Sequence, residues 1–194
     1  ANFQFYIHHA KNLENPDDSY IMLCKWLPED EDNNLPSYAT HTVGVGGMVL
    51  SHDKEHLLAI QENVQSFGVH WKMPGGLLDP YGEQVEQACQ REVWEETGIK
   101  SKFEGVLGVR ELKGFGKFMV PDLYFVCLLS LPENGSEEIN IIHTSEIKEA
   151  KWVHLSELPD HKFSQIASIF VRRLYKRYTE GTHKEFVSDT LLPA

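Results

Sequence analysis

The sequence predicts a domain of mixed α/β pattern preceded by a short β-rich segment, and three features carry that prediction. Apolar runs of strand length recur between residues 42 and 153. The stretch from Glu83 to Thr97 has helical periodicity and a glycine stop, and a second amphipathic stretch, Ser164 to Tyr178, follows the last strand. A chain of 194 residues can bury one good core and carry an accessory segment.

Near the N-terminus Phe3, Phe5 and Ile7 alternate with Gln4, Tyr6 and His8, and a second apolar run, Tyr20 to Leu27, follows the turn-forming Asn15-Pro16-Asp17-Asp18. A small strand pair is expected there. The acidic EDEDNNLPS at 29 to 37 has little to bury and reads as a linker, so the expected division is 1–37 for the first segment and 38–194 for the main domain. TVGVGGMVL at 42 to 50 and HLLAI at 56 to 60 read as two strands joined by the polar turn Ser51 to Glu55. Gly98 fits a left-handed cap on the helix that begins near Glu83. Strands are expected at Lys102 to Glu111, Leu123 to Leu129 and Glu149 to Val153, while the tail past Gly181 has no strong signal.

Composition removes several function classes. No apolar run approaches the ~20 residues of a membrane-spanning helix, so no membrane partner is expected. Cys24, Cys89 and Cys127 lie in or beside apolar segments without metal-like spacing, which suits reduced buried thiols and a cytoplasmic setting, an organelle or the nucleus remaining open. The formal charge of −11 repels polyanions, so duplex nucleic acid is not an expected partner, and an anionic small substrate needs a cation to mediate it.

The chemistry concentrates in GGLLDPYGEQVEQACQREVWEETGI, residues 75 to 99. Glu92, Glu95 and Glu96 stand at i, i+3 and i+4, on one helical face, and that face carries Val85, Ala88 and Cys89 in the preceding turns. The three acids therefore continue a stripe aimed into protein. Near a helix C-terminus each negative charge costs about 0.3–1 kcal/mol at an exposed site, so a compensating cation is expected. Clustered carboxylates without Cys or His suit magnesium, with manganese as the second choice. Arg91, four residues before Glu95, is placed to pair with the acids and is given a structural role. Adjacent glutamates on a helix are by themselves ordinary surface decoration, and it is the full string that changes the reading.

That string resembles the Nudix box: Glu83, Arg91, Glu92, Val93, Glu95, Glu96, Gly98 and Ile99 match its fixed positions in register. The one departure is that six residues, not five, separate Gly76 from Glu83. Phe5 to Ala10, Leu23 to Leu27, His41 to Gly46, Trp71-Lys72-Met73-Pro74, Gly114 to Lys117 and Asp122 to Cys127 further resemble one eukaryotic subgroup of that family. It holds the plant ADP-ribose and NADH pyrophosphatases and an animal protein encoded antisense to a fibroblast growth factor gene. In that subgroup the N-terminal piece is part of a larger region, so upstream sequence is expected to precede Ala1.

The resemblance implies an α/β/α sandwich with a mixed β-sheet and hydrolysis of the pyrophosphate in nucleoside diphosphate-linked small molecules, ADP-ribose or NADH favoured. It makes Glu92, Glu95 and Glu96 the metal ligands, with the Gly76 and Gly75 backbone and Glu83 beside the same metals. Glu146, ahead of Trp152, stands where many members carry an acid that binds metal or activates water, and Glu111 is a second candidate base. Arg110 and Lys117 are available for phosphate or ribose, and Phe115, Phe67 or Phe118 for stacking on a base. His8 and His9, adjacent on a strand, point to opposite faces and are given no catalysis. Arginine-rich Val171 to Arg177 reads as a solvated amphipathic face. Two other functions use the same residues: hydrolysis of oxidised nucleoside triphosphates, and a weakly catalytic interaction module. The resemblance also allows a homodimer.

Overall fold

The computed structural model describes residues 8–10, 20–22, 27–28, 30–32, 41–63, 70–79, 82–112, 121–163 and 165–183. The expected strand at 3–7 lies outside these, as do Cys24, Phe67, Phe115, Lys117 and Phe118. The chain divides into two units, Ala1–Thr40 and His41–Ala194. In the first, β1 (His8–Ala10) pairs antiparallel with β2 (Tyr20–Met22), His9 opposite Ile21.

The second unit is a mixed sheet in two pieces. β3 (Thr42–Val49) runs parallel to β6 (Asp122–Ser130), and β6 is antiparallel to β5 (Lys102–Leu112), giving the order β3-β6-β5. β4 (His56–Glu62) pairs antiparallel with β7 (Ile147–His154). The two strands joined by the Ser51 to Glu55 turn thus part company: beyond the Leu50–Leu57 bridge each enters its own ladder. Two bulges bend β5 against β6, which is how eleven residues of β5 keep pace with nine of β6.

Alternation along the strands sorts side chains between two layers. Val45, Val49, Leu58, Cys127 and Leu129 pack on one side with Ala88, Cys89 and Val93 of α1 (Val85–Thr97). Met48, Leu57, Ala59, Val126 and Leu128 pack on the other with Phe170, Val171 and Leu174 of α2 (Gln165–Thr179). A sheet with a helix on each face is the expected sandwich, and both faces must be apolar for it to form. One element was not foreseen, a 3-10 helix at Leu155–Asp160 that seats Leu155 and Leu158 in the α2-side core. Its start is capped by the His154 ring, whose Nδ1 accepts from the Ser156 amide at 3.2 Å.

Candidate functional site

The site is made where the segment 74–78 meets the C-terminal half of α1. That segment is fastened to β3 by backbone bonds: the Val45 amide donates to the Gly76 carbonyl at 2.8 Å, the Gly47 amide to Pro74 at 2.8 Å, and the Leu78 amide to Val43 at 3.0 Å. Close approach is possible because a Cβ on Gly75 would strike the Val45 carbonyl. Gly76 faces the other way, where a Cβ would stand 2.6 Å from the Glu92 carboxylate. The two glycines therefore thread the backbone between a strand and an acid.

α1 presents its acids to that backbone. Glu96 is buried, 5% exposed, and accepts a hydrogen bond from the Gly75 amide at 2.7 Å. Glu92 and Glu95 are partly covered on the same face. The left-handed Gly98, φ 74°, stops the helix with its amide donating to the Trp94 carbonyl. The connection after β6 then satisfies the last carbonyls: Asn140 donates to Thr97 at 2.8 Å and His143 to Glu95 at 3.0 Å.

One guanidinium bridges the acids. Arg91 donates to both Glu83 oxygens, at 2.7 and 2.9 Å, and its Nη1 donates to Glu92 at 2.8 Å and Glu95 at 3.0 Å. Its Nη2 also reaches the Leu77 carbonyl at 3.1 Å, so helix, loop and acid are tied by one side chain. Hydrogen bonding from Arg91 holds the Glu83 carboxyl below the usual carboxylate range. Burial pushes Glu92 up against the pull of Arg91, and pushes Glu96 up to about 8 against the pull of Lys72.

Two groups absent from the sequence-based list stand at this site. Lys72 Nζ lies 2.6 Å from Glu62, 3.2 Å from the Gly75 carbonyl and 4.0 Å from Glu96. Lys72 belongs to the Trp71-Lys72-Met73-Pro74 run that leads into the glycines, and Glu62 closes β4 two residues past Ile60, whose backbone pairs with Lys72 in both directions. That adjacency depends on a long-range pairing, which no local pattern encodes.

The residues suit a divalent cation by donor chemistry, since carboxylate oxygens beside a glycine backbone are hard ligands and Gly76 leaves room against Glu92. Among the described residues, however, no three acidic, His or Cys side chains converge as a finished coordination cage. Arg91 takes one oxygen of Glu92 and one of Glu95, and Lys72 stands 4.0 Å from Glu96, so a cation would bind through the remaining carboxylate oxygens with Arg91 still in place. The other expected residues fall elsewhere. Glu146 is exposed, and it is the backbone of its turn that leads to α1, through the Glu146 amide on His143 and the His143 amide on Glu95. Glu111 faces His41 at 3.5 Å. Arg110 lines a groove of about 1030 Å³ between β5 and α2, with Arg172, Arg173 and Lys176, and no residue of α1 contributes to it.

A family model described as the NUDIX domain matches residues 40–174. Over 183 residues the chain is 37% identical to Nudix hydrolase 8 of Arabidopsis thaliana, a match covering 90% of this chain and 46% of that protein. It is 36% identical over 196 residues to nucleoside diphosphate-linked moiety X motif 6 of Xenopus laevis, covering 100% of this chain and 84% of that protein. The chain thus spans about half the length of some curated relatives. Among solved structures it resembles a MutT NUDIX hydrolase from Burkholderia pseudomallei, with a TM-score of 0.56 at 23% identity over 68% of this chain and 95% of that one. It also resembles the NUDIX domain of Shewanella oneidensis NrtR complexed with ADP ribose, with a TM-score of 0.56 at 17% identity over 73% and 90% of the two chains.

Proposed function

The chain belongs to the Nudix hydrolase family, and from that premise we propose that it hydrolyses the pyrophosphate of nucleoside diphosphate-linked compounds, ADP-ribose or NADH foremost, with magnesium bound at the α1 carboxylates. The observation that carries the proposal is that Glu92, Glu95 and Glu96 share a covered face of α1, with Glu96 bonded to the Gly75 amide and Glu92 against Gly76. Members of this family generally use divalent metal ions. When bound, such an ion supplies positive charge that screens the pyrophosphate and makes water more acidic.

The protein's own groups do the rest. Glu92, Glu95 and Glu96 hold the ion, and Arg91, fixed by Glu83, keeps Glu92 and Glu95 in register without entering the chemistry. The loop at 74–78, locked to β3 through its Pro74 and Gly76 carbonyls, puts no side-chain bulk against Glu92 at Gly76. Glu146 is assigned as the base that takes a proton from the attacking water, because its turn is bonded through His143 to the end of α1. Arg110, Lys117 and Phe115 are assigned to nucleotide recognition. ADP ribose in the NrtR structure is a ligand of that protein, and it places this compound first in the panel to be assayed.

The test is to incubate the purified protein and magnesium with ADP-ribose, NADH, ADP-glucose, a diadenosine polyphosphate, coenzyme A and 8-oxo-dGTP, resolving products by chromatography. Release of AMP from a diphosphate-linked compound, lost in Glu95→Gln, is the expected result. Turnover of 8-oxo-dGTP alone would move the substrate class to oxidised triphosphates. Absence of turnover by folded, metal-binding protein would overturn the reading.

A further inference from the structure

We propose that Lys72 is a phosphate-binding residue of this site and that Glu62 holds its ammonium at the rim, keeping Glu96 available to a divalent cation. The inference rests on the reading that the α1 carboxylates take such a cation. Its own basis is an asymmetry around one nitrogen. Lys72 has a buried acid within reach, Glu96 at 4.0 Å, yet its short contact of 2.6 Å is with Glu62, whose side chain is 41% exposed against 6% for Glu96. A lysine needed only to neutralise Glu96 would be served worse by a rival acid that draws it outward.

The backbone fixes this placement from both ends. Ile60 and Lys72 exchange hydrogen bonds at 2.9 and 3.0 Å, which sets Lys72 beside the end of β4 where Glu62 stands. Lys72 Nζ also donates to the Gly75 carbonyl, while the Gly75 amide donates to Glu96, so both polar groups of one glycine are committed. The ammonium therefore sits between the outer acid, the loop and the inner acid. It is a compact charge on a flexible stem with three donors, a quarter exposed, and able to exchange a carboxylate for a phosphate oxygen by rotation of its own side chain. A divalent ion at Glu96 would repel this ammonium and favour the exchange.

Two bindings, neither requiring turnover, test the idea: Mn2+ alone, and α,β-methylene-ADP with Mn2+ present, each by calorimetry. Lys72→Met should tighten Mn2+ by roughly 5-fold, because a competing cation is gone, and weaken α,β-methylene-ADP by about 10-fold, because a charged hydrogen bond is gone. Lys72→Arg should recover most of the nucleotide affinity. Glu62→Gln releases the lysine onto Glu96 and should weaken Mn2+ by roughly 5-fold. The double variant Glu62→Gln/Lys72→Met should return to the Lys72→Met value. A purely structural lysine would make Lys72→Met weaken both ligands, and that result, or unchanged nucleotide affinity, overturns the proposal. Wild-type protein that binds no Mn2+ would overturn the carboxylate reading itself. Mn2+ binding without the opposed signs overturns the role of Lys72 alone.

Discussion

The two helices that cover the sheet treat charge in opposite ways. α2 keeps Phe170, Val171 and Leu174 in the core and leaves Arg172, Arg173 and Lys176 in solvent, as an amphipathic helix should. α1 buries Ala88, Cys89 and Val93 and then continues the same stripe with Glu92 and Glu96, although carboxylates are disfavoured both by desolvation and by the C-terminal end of a helix. One helix obeys the burial rule and supplies packing. The other breaks it, and needs Arg91, Lys72 and the Gly75 amide to offset the cost. Where a local rule is broken under such heavy compensation, function is the economical explanation.

The contrast can be pressed hardest with activity. Glu96→Gln in α1 should lower kcat/KM on the order of 1,000-fold, whereas Arg173→Ala in α2 should leave it within about 2-fold and shift stability by no more than ~0.5 kcal/mol; steady-state rates on the cleaved substrate decide it. Reversing the probe, Leu174→Ala removes a fully buried side chain of α2 and should cost about 2–5 kcal/mol in urea unfolding, with Mn2+ affinity of the folded protein retained. Arg91→Met should cost less, about 1–3 kcal/mol, since it strands partly exposed acids instead of opening a cavity. It should also lower activity, because Glu92 and Glu95 lose their common anchor.

An independent probe of the same contrast is pH. The Glu96 carboxyl in the folded protein titrates near 8 against an ordinary 4.5, so the folded state holds this proton more tightly than the unfolded chain does. Metal-free protein should therefore lose stability as pH rises from about 4.5 to 8. Glu96→Gln should flatten that slope in thermal melts, and an unchanged slope would show that Glu96 is not the group responsible.

The same contrast explains what the sequence made legible. α2 followed from periodicity, and α1 ended at Gly98 as its glycine required. Glu92, Glu95 and Glu96 were visible because helical spacing is local, and the pairing of Arg91 with Glu95 was visible for the same reason. The bidentate hold on Glu83 spans the loop before the helix, a segment whose conformation the spacing alone did not define. Lys72 and Glu62 meet only because β4 pairs with the segment before the glycines, and that pairing is a property of the assembled sheet. The position of Glu146 ahead of Trp152 located its turn, but nothing local orients an exposed side chain.

The β6–β7 connection has a consequence for how α1 opens. Its Asn140 and His143 amides are spent on the Thr97 and Glu95 carbonyls, and Asn140 packs against the α-carbon of Gly98. Deuterium enters these two loop amides only when their bonds to the last turn break, so their protection reports the free energy of separating the connection from the acid-bearing turn. A cation bound to that turn would slow their exchange in proportion to how tightly it is held.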